Sequence, residues 1–190
     1  MRHAFALASI LLASLGSAAD ARSCRGVDFP EHVQVDGSEL ALNGLGVRKA
    51  TFLKVNVYVA ALYVPRASTD PAALIHSQGP EEIVLHFVRD VGVGALRKGW
   101  SEGFERSAAG RLPSLQARIA TLNGWMSEVR AGQRLTFVRR PGTGIQVSVN
   151  GAMKGSIEGD DFAQAFISIW LGASPPNGEL KAGLLGGACE

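Results

Sequence analysis

The chain has 190 residues, with 19 Lys and Arg against 17 Asp and Glu, so its formal net charge is +2 with neutral histidines. The basic residues are scattered rather than aligned along one face, which argues against a nucleic-acid-binding surface. Beyond the N-terminal segment no apolar run approaches the length of a membrane-spanning helix, and the remaining length suits one domain with a single core.

The first 21 residues have the pattern of a secretory signal peptide. A short basic start containing Arg2 precedes an apolar stretch of about a dozen residues and an A-x-A site at Ala19-Asp20-Ala21. We predict cleavage after Ala21, with Ala19 as the alternative, and a single exported domain over residues 22–190, periplasmic or secreted. Arg22 ahead of Cys24 does not suit a lipid-attachment motif, so we expect no stable membrane insertion after cleavage.

The two cysteines, Cys24 and Cys189, stand at the two ends of the mature chain. In an oxidising compartment an even count favours a disulfide between them, and two free thiols are the alternative. There is no C-x-x-C motif, and the histidines lack metal-ligand spacing, so we predict no metal and no cofactor. His86 alternates within a predicted strand and is expected to be packed or hydrogen-bonded.

The first predicted elements are short strands joined by tight turns. Strand His32–Val35 leads into an Asp36-Gly37 hairpin turn and a return strand Ser38–Leu42. Residues 43–46 (NGLG) are predicted to form a second turn, because glycine can adopt positive φ. A long strand then runs from Thr51 to Val64, rich in β-branched and aromatic residues.

The two faces of this long strand differ in polarity. The odd positions from Leu53 to Tyr63 are apolar and are predicted to enter a core, whereas the opposite face carries Phe52, Lys54, Asn56 and Tyr58, with Arg48 ahead of them in the same parity. A cation, an amide and a phenol on one face can bind a carboxylate or a polarised carbonyl. The alternative is a solvated face.

Spacing limits the binding interpretation. On a straight strand Arg48 and Tyr58 lie roughly 33 Å apart. They share a small ligand only if the chain bulges or turns near Lys49-Ala50.

The rest of the chain reads as helices between further strands. Asp70 is a predicted N-cap with Pro71 at the first helical position. Gly99 and Gly103 are predicted to allow close packing of a helix against the sheet, and close approach of a ligand is the alternative. Arg139-Arg140 is predicted to be a solvated pair. The predicted elements are strand Glu81–Arg89, helices Ala95–Ala109 and Pro113–Val129, strands Arg134–Arg139, Gly144–Val149 and Ala152–Ile157, and helices Phe162–Leu171 and Gly178–Leu185.

This order of elements predicts an α+β fold, an antiparallel sheet with helices layered on one face. No nucleophile elbow, phosphate-binding glycine loop or paired-carboxylate motif is present in the sequence. The residues alone therefore do not indicate an enzyme.

Several stretches resemble the chalcone isomerase-like family, in particular its exported bacterial branch. The likeness covers nearly the whole mature chain and implies an open-faced β-sandwich with a ligand cleft between a large sheet and a helical layer. It rests on residues 26–30 (GVDFP), 42–48 (LNGLGVR), 52–63 (FLKVNVYVAALY), 87–90 (FVRD), 155–162 (GSIEGDDF) and 169–175 (IWLGASP).

The resemblance assigns residue roles unevenly. Arg48 looks like the arginine that guides and stabilises the substrate phenolate in true chalcone isomerases, but residues 91–100 lack the family's tyrosine and asparagine. A hydroxyl-bearing residue near Ile169 is replaced by an apolar one. The fatty-acid-binding members resemble this chain better, since their carboxylate-binding arginine and tyrosine match Arg48 and Tyr58. An apolar tail would then lie beside four aromatic residues that otherwise fill the core, namely Phe52, Phe104, Phe166 and Trp170.

We therefore expect an exported, non-catalytic monomer that binds a small apolar carboxylic acid, a fatty acid or similar, through Arg48 and Tyr58, with Lys54 and Asn56 beside them. The alternative is an isomerase or intramolecular lyase acting on a chalcone-like or other enone, in which Arg48 stabilises an oxyanion and Lys54 or Tyr58 manages a proton. A third possibility is a partner-binding module whose cleft has closed.

Overall fold

The computed structural model describes residues 20–50, 53 and 55–190. Of the predicted signal peptide, residues 1–19 lie outside the described part, and so do Thr51, Phe52 and Lys54. The cleavage site and the single exported domain stay predictions.

The described chain contains nine strands in two sheets. A two-stranded hairpin consists of β1 (Ala21–Cys24) and β2 (Val27–Pro30). The main sheet is antiparallel throughout, and its spatial order follows the chain: β3 (His32–Val35), β4 (Ser38–Ala50), β5 (Val55–Val64), β6 (Glu81–Phe87), β7 (Arg134–Arg140), β8 (Gly144–Val149) and β9 (Ala152–Glu158).

Five α-helices accompany the strands of the described chain: α1 (Pro71–Ile75), α2 (Val93–Ala108), α3 (Leu112–Trp125), α4 (Asp160–Leu171) and α5 (Gly178–Leu184). A single 3₁₀ turn, Ala109–Arg111, joins α2 to α3. Among the described residues, none of the helices has both the length and the hydropathy needed to span a bilayer. The predicted α+β class, a large antiparallel sheet backed by helices, is confirmed.

From Val59 onward, both faces of the central strand β5 are buried. Val59, Ala61 and Tyr63 belong to a core cluster shared with the β1–β2 hairpin, as the odd-position row predicts. The prediction is wrong at the start of that row, because Leu53 is 68% exposed and Val57 lines a cleft under the helices. The even positions Ala60 and Leu62 belong to a larger cluster beneath the helices. The mixed row that the sequence defines ends at Tyr58, and the apolar even positions beyond it are covered by the helical layer.

The turn predicted over residues 43–46 is wrong. Strand β4 continues through this segment with a bulge between Leu42 and Gly44, and the buried Asn43 side chain donates to the carbonyls of Ser68 (3.0 Å) and Leu184 (2.7 Å). A Cβ on Gly44 would lie 2.1 Å from the carbonyl oxygen of Gly183. These residues serve the close approach of α5 to the sheet rather than a change of chain direction.

Local turn chemistry is otherwise well predicted. Val35 pairs with Ser38 across Asp36 and Gly37, both at positive φ, and Asp70 caps α1 by accepting a hydrogen bond from the Ala72 amide (2.8 Å). Some predicted ends shift. Helix α3 stops at Trp125 rather than residue 129, because residue 129 is extended and bonds the backbone of residue 91 in both directions (2.8 and 3.0 Å). Strand β5 is described from Val55 onward. Of the earlier residues in the predicted strand, Leu53 lies in a turn, and residues 51, 52 and 54 are outside the described part.

Arg139 is not solvated, contrary to the sequence prediction. Its side chain is 1% exposed and lies 3.4 Å from the buried carboxylate of Glu81. It also donates to the carbonyls of Leu74 (3.2 Å) and Ile75 (3.0 Å), which lie at the C-terminal end of α1. A buried guanidinium thus satisfies helix-end carbonyls that have no partner within the helix.

A disulfide joins Cys24 to Cys189, with 6.0 Å between their Cα atoms, which agrees with the predicted pairing. It ties the β1–β2 hairpin to the segment that follows α5.

Candidate functional site

A cleft of about 370 Å³ opens between the β4–β5 hairpin and helix α2. Its polar lining consists of Arg48, Tyr58, Arg89, Asp90, Glu102 and Arg106. Its apolar lining includes Val57, Leu85, Phe87, Leu96, Trp100 and Trp170. The cleft thus combines an apolar interior with an uneven distribution of charge.

The hairpin register brings Arg48 and Tyr58 together. Strand β4 ends at Ala50 and β5 returns from Val55, so Arg48 stands directly opposite Tyr58 in the antiparallel pair. Directly opposed residues have Cα atoms roughly 5 Å apart, in place of the 33 Å of a single straight strand. The antiparallel pairing of β4 and β5 therefore brings the two side chains close enough to contact one small ligand.

A bulge between Arg48 and Lys49 sets the local direction of the arginine. The side chain of Asn177, just ahead of α5, holds this bulge from outside the ladder. Its amide donates to the Val47 carbonyl (3.1 Å), and its oxygen accepts from the Lys49 amide (3.3 Å). These two bonds flank Arg48, so the segment before α5 fixes the backbone from which the arginine projects.

The charge of Arg48 is not neutralised by any acid within the described residues. The half-buried guanidinium donates to the Lys49 carbonyl, and the two acidic lining residues are engaged elsewhere. Asp90 accepts from the Ala131 amide (2.9 Å), while Glu102 lies between Lys98 (3.7 Å) and Arg106 (4.0 Å). Arg48 therefore presents positive charge to the cleft.

Tyr58 stands beside this charge as a neutral donor. Burial raises the pKa of its phenol above the ordinary value of 10, although a hydrogen bond from Trp170 and the charges of Arg48 and Arg106 lower it. The indole Nε1 of Trp170 donates to the phenol oxygen (3.1 Å). In the described part of the chain we find no acceptor for the phenol hydrogen itself. The hydroxyl remains protonated and available to a ligand.

Aromatic residues divide between the cleft and the core. Trp170 is fully buried yet lines the cleft, and Trp100, 6% exposed, lies beside it at 5.9 Å between ring centroids. Phe104 and Phe166 are fully buried and do not line the cleft. The sequence left open whether they line a pocket or fill the core, and they fill the core. Phe52 lies outside the described residues.

Residues 91–100 and Ile169, which the resemblance singles out, contribute apolar side chains to the cleft. Val91, Ala95 and Leu96 from residues 91–100 line the cleft, together with Ile169 from α4. Gly103 packs against this isoleucine, whose Cγ2 would lie 3.0 Å from an added Cβ, whereas Gly99 faces open space in the cleft. Close packing of the helix holds for Gly103 and not for Gly99.

The other predicted site residues fall outside this constellation. Lys54 is not among the described residues, and Asn56 pairs with Lys49 away from the cleft lining. His86 accepts a hydrogen bond from Arg134 (2.9 Å), as expected of a hydrogen-bonded histidine. Within residues 20–50, 53 and 55–190, no group of His, Cys, Asp and Glu has the arrangement of a metal site.

Sequence reasoning missed the charged residues of the opposite wall, above all Glu102 and Arg106 of α2. A signal for them exists, because residues 99, 102 and 106 recur at helical spacing and share one face. That face could be assigned to the cleft only once the packing of α2 on the sheet was known.

Comparisons with known proteins agree with this architecture. The family model described as chalcone isomerase-like matches residues 21–186. The crystal structure of the Arabidopsis thaliana fatty-acid binding protein AtFAP1 superposes with a TM-score of 0.67 at 16% sequence identity, covering 87% of this chain and 96% of that one. At this identity the likeness concerns the fold. No curated protein sequence matches the chain.

Proposed function

The chain belongs to the chalcone isomerase-like family, and we propose that it binds a small apolar carboxylic acid in its cleft without converting it. The observation that carries this proposal is the pairing of an un-neutralised Arg48 with the protonated hydroxyl of Tyr58 on one cleft wall. AtFAP1, which has a similar fold, is a fatty-acid binding protein, and this likeness supports the same class of ligand.

The chemistry of the pair suits a carboxylate. A guanidinium donates charge-assisted and often bidentate hydrogen bonds to carboxylate oxygens, which also bind a phenol O–H. Trp170 donates to the Tyr58 oxygen, so the phenol's own hydrogen stays available for donation to a ligand. The ligand's second oxygen accepts that hydrogen bond.

The size of the cleft favours a short tail. A volume of about 370 Å³ lies at the small end of the range of ligand pockets, about 300–1,000 Å³. At about 30 Å³ for each water-sized group, the space holds roughly a dozen such groups. A medium-chain acid of about ten carbons fits this volume better than a long-chain one.

Catalysis on an enone would make different demands on the same residues. A tyrosine acting as a base must lose its proton, and burial raises the pKa of Tyr58 in the opposite direction. The raised pKa favours binding over proton abstraction. Absorbance assays with chalcones and simple enones test the alternative. Turnover by the wild type that is lost in Arg48→Gln would favour an isomerase over a binding protein.

We also propose that the protein is exported and monomeric. The disulfide between Cys24 and Cys189 supports an oxidising compartment. Mass spectrometry of the protein from a periplasmic fraction tests both cleavage and the disulfide, and light scattering after size exclusion tests the monomer.

Thermal unfolding with and without ligand tests the binding function. Saturation at about a hundred times Kd stabilises a protein by about 2.7 kcal/mol, so decanoic acid is expected to raise the Tm of the wild type by about 5–10 °C. Arg48→Gln should remove the shift. Arg97→Gln, on the exposed surface of α2 with a bond to the Asn123 carbonyl, serves as the matched control. An unchanged wild-type Tm across acids of eight to sixteen carbons would overturn the proposal.

A further inference from the structure

The helical wall of the cleft carries a second cation that faces the same space as Arg48. Arg106 projects from the C-terminal half of α2, and Arg48 lies on the sheet; both line the cleft. Tyr58 lies on the sheet opposite Arg48, and the charges of both guanidinium groups lower the pKa of its phenol. Both cations therefore face the cleft that Tyr58 also lines.

Arg106 is only weakly held by its neighbouring side chains. Its one recorded ion pair within the described residues is with Glu102, at 4.0 Å, the outer limit of such a contact. Glu102 is shared with Lys98 at 3.7 Å, so the carboxylate keeps a partner if Arg106 turns away. Exposed ion pairs of this kind on one helix contribute little to stability. Arg106 can therefore exchange Glu102 for another partner at a small cost in free energy.

We propose that Arg106 is a second anchor for the acid and binds its carboxylate from α2, opposite Arg48. The proposal rests on the proposed function and extends it to a group on the other wall. A carboxylate accepts about four hydrogen bonds through its two oxygens, enough for two guanidinium groups and the Tyr58 hydroxyl. The head group is then bridged between sheet and helix, and the tail lies against the apolar lining.

This arrangement makes the cleft selective for anions over neutral amphiphiles of equal length. It also makes Glu102 a competitor, because it holds Arg106 when the ligand is absent. Removing the negative charge of Glu102 should therefore strengthen binding of the acid, which would not follow if Arg106 were merely a surface residue.

The experiment measures Kd for decanoic acid and for 1-decanol by tryptophan fluorescence, in the wild type and in three variants. Arg106→Gln is expected to weaken decanoate binding about tenfold and to leave decanol binding unchanged. Glu102→Gln is expected to strengthen decanoate binding about threefold. Arg97→Gln, on the same helix and outside the cleft lining, should match the wild type for both ligands.

The outcomes separate this inference from the binding function. If Arg48→Gln loses decanoate while Arg106→Gln binds it as the wild type does, the second anchor is overturned and the proposed function stands. Equal losses for acid and alcohol in Arg106→Gln would indicate a change of cleft shape and would also overturn it. If the wild type binds no decanoate, both proposals fall together.

Discussion

Glu81 and Arg139 are the residues at which burial and charge oppose each other most directly. Both side chains are almost fully buried, 0% and 1% exposed, and their nearest atoms lie 3.4 Å apart. Desolvation raises the pKa of Glu81 to about 7 in spite of the attraction and hydrogen bond of Arg139. Within the described residues one carboxylate oxygen and the Arg139 Nε find no hydrogen-bond partner. The free-energy cost of desolvating the two charged groups therefore exceeds the stabilisation from their attraction.

We expect this carboxyl group to make the stability of the protein fall as the pH rises. The folded protein keeps Glu81 protonated up to about pH 7, whereas the unfolded chain loses that proton near 4.5, so the folded state binds the extra proton between these values. The contribution is fully present below pH 4.5 and is lost as the pH rises through 7. It amounts to about 3 kcal/mol in the free energy of unfolding.

Urea unfolding of the wild type and Glu81→Gln at pH 5, 6, 7 and 8 measures this contribution. His86, whose pKa is lowered chiefly by burial and also by the charge of Arg134, gives a slope of opposite sign in both proteins. The difference between the two proteins therefore isolates Glu81. Parallel pH profiles for wild type and variant would contradict the assignment.

The neighbouring arginines show what sequence reasoning overlooked at this scale. Arg139 and Arg140 read as one solvated pair, yet period-two geometry sends them to opposite faces of β7. Leu135 and Phe137 mark the core face, and Arg139 continues their row. Arg140 binds Asp36 on the other face (2.8 Å). The alternation was present in the sequence, but a buried arginine is rare enough to be passed over.

At the scale of elements, β4 and α5 form the contact that the sequence could not have shown. The Asn-Gly pair and the second glycine of residues 43–46 are strong turn signals. Here the glycines instead allow helix α5 to pack directly against strand β4. An added Cβ would lie 2.3 Å from the Leu180 carbonyl oxygen at Gly46, and one at Gly183 would lie 2.2 Å from the Leu45 carbonyl oxygen. The need for glycine depends on a helix far along the chain, so no local pattern reveals it.

We expect Gly46→Ala to destabilise the protein by about 3 kcal/mol, because the added methyl meets backbone atoms that cannot move aside. Gly46 is not at positive φ, so the effect is steric rather than conformational. Gly124→Ala is the matched control: nothing lies within 4 Å of its added Cβ, and it sits within α3, where alanine is expected to stabilise by up to about 1 kcal/mol. Opposite shifts in urea midpoint are predicted, and a Gly46→Ala variant as stable as the wild type would contradict the close contact.

For the whole molecule, sequence patterns predicted the layers better than the cleft. Turn chemistry at Asp36-Gly37, helical spacing and strand alternation are local, and together they predicted the α+β order of elements. The convergence of Arg48 with Tyr58 depends on a chain reversal that the Thr51–Val64 strand prediction hid, and the role of Arg106 depends on how α2 packs against the sheet. Sites formed between layers follow from tertiary geometry, which local periodicity does not contain.

The disulfide between Cys24 and Cys189 acts on this whole molecule rather than on its cleft. It closes a loop with a sequence separation of 165, for which the chain-entropy model gives an upper value of about 5 kcal/mol. Cys24 packs in the core cluster shared with the β1–β2 hairpin, whereas Tyr58 and Trp170 belong to the cluster beneath the helices. Stability and ligand affinity should therefore separate when the bridge is removed.

We expect the double variant Cys24→Ala/Cys189→Ala to unfold about 10 °C below the wild type, since its unfolded chain is no longer restrained by the cross-link. Adding a reductant should lower the wild-type Tm by a similar amount and leave the variant unchanged, which separates loss of the bridge from loss of cysteine packing. Below the melting transition, the Kd for decanoic acid should agree between the two proteins, because the cleft walls lie in the other core cluster. A parallel loss of affinity would instead mean that the bridge, acting through α5 and the Asn177 bonds around Arg48, holds the binding residues in place.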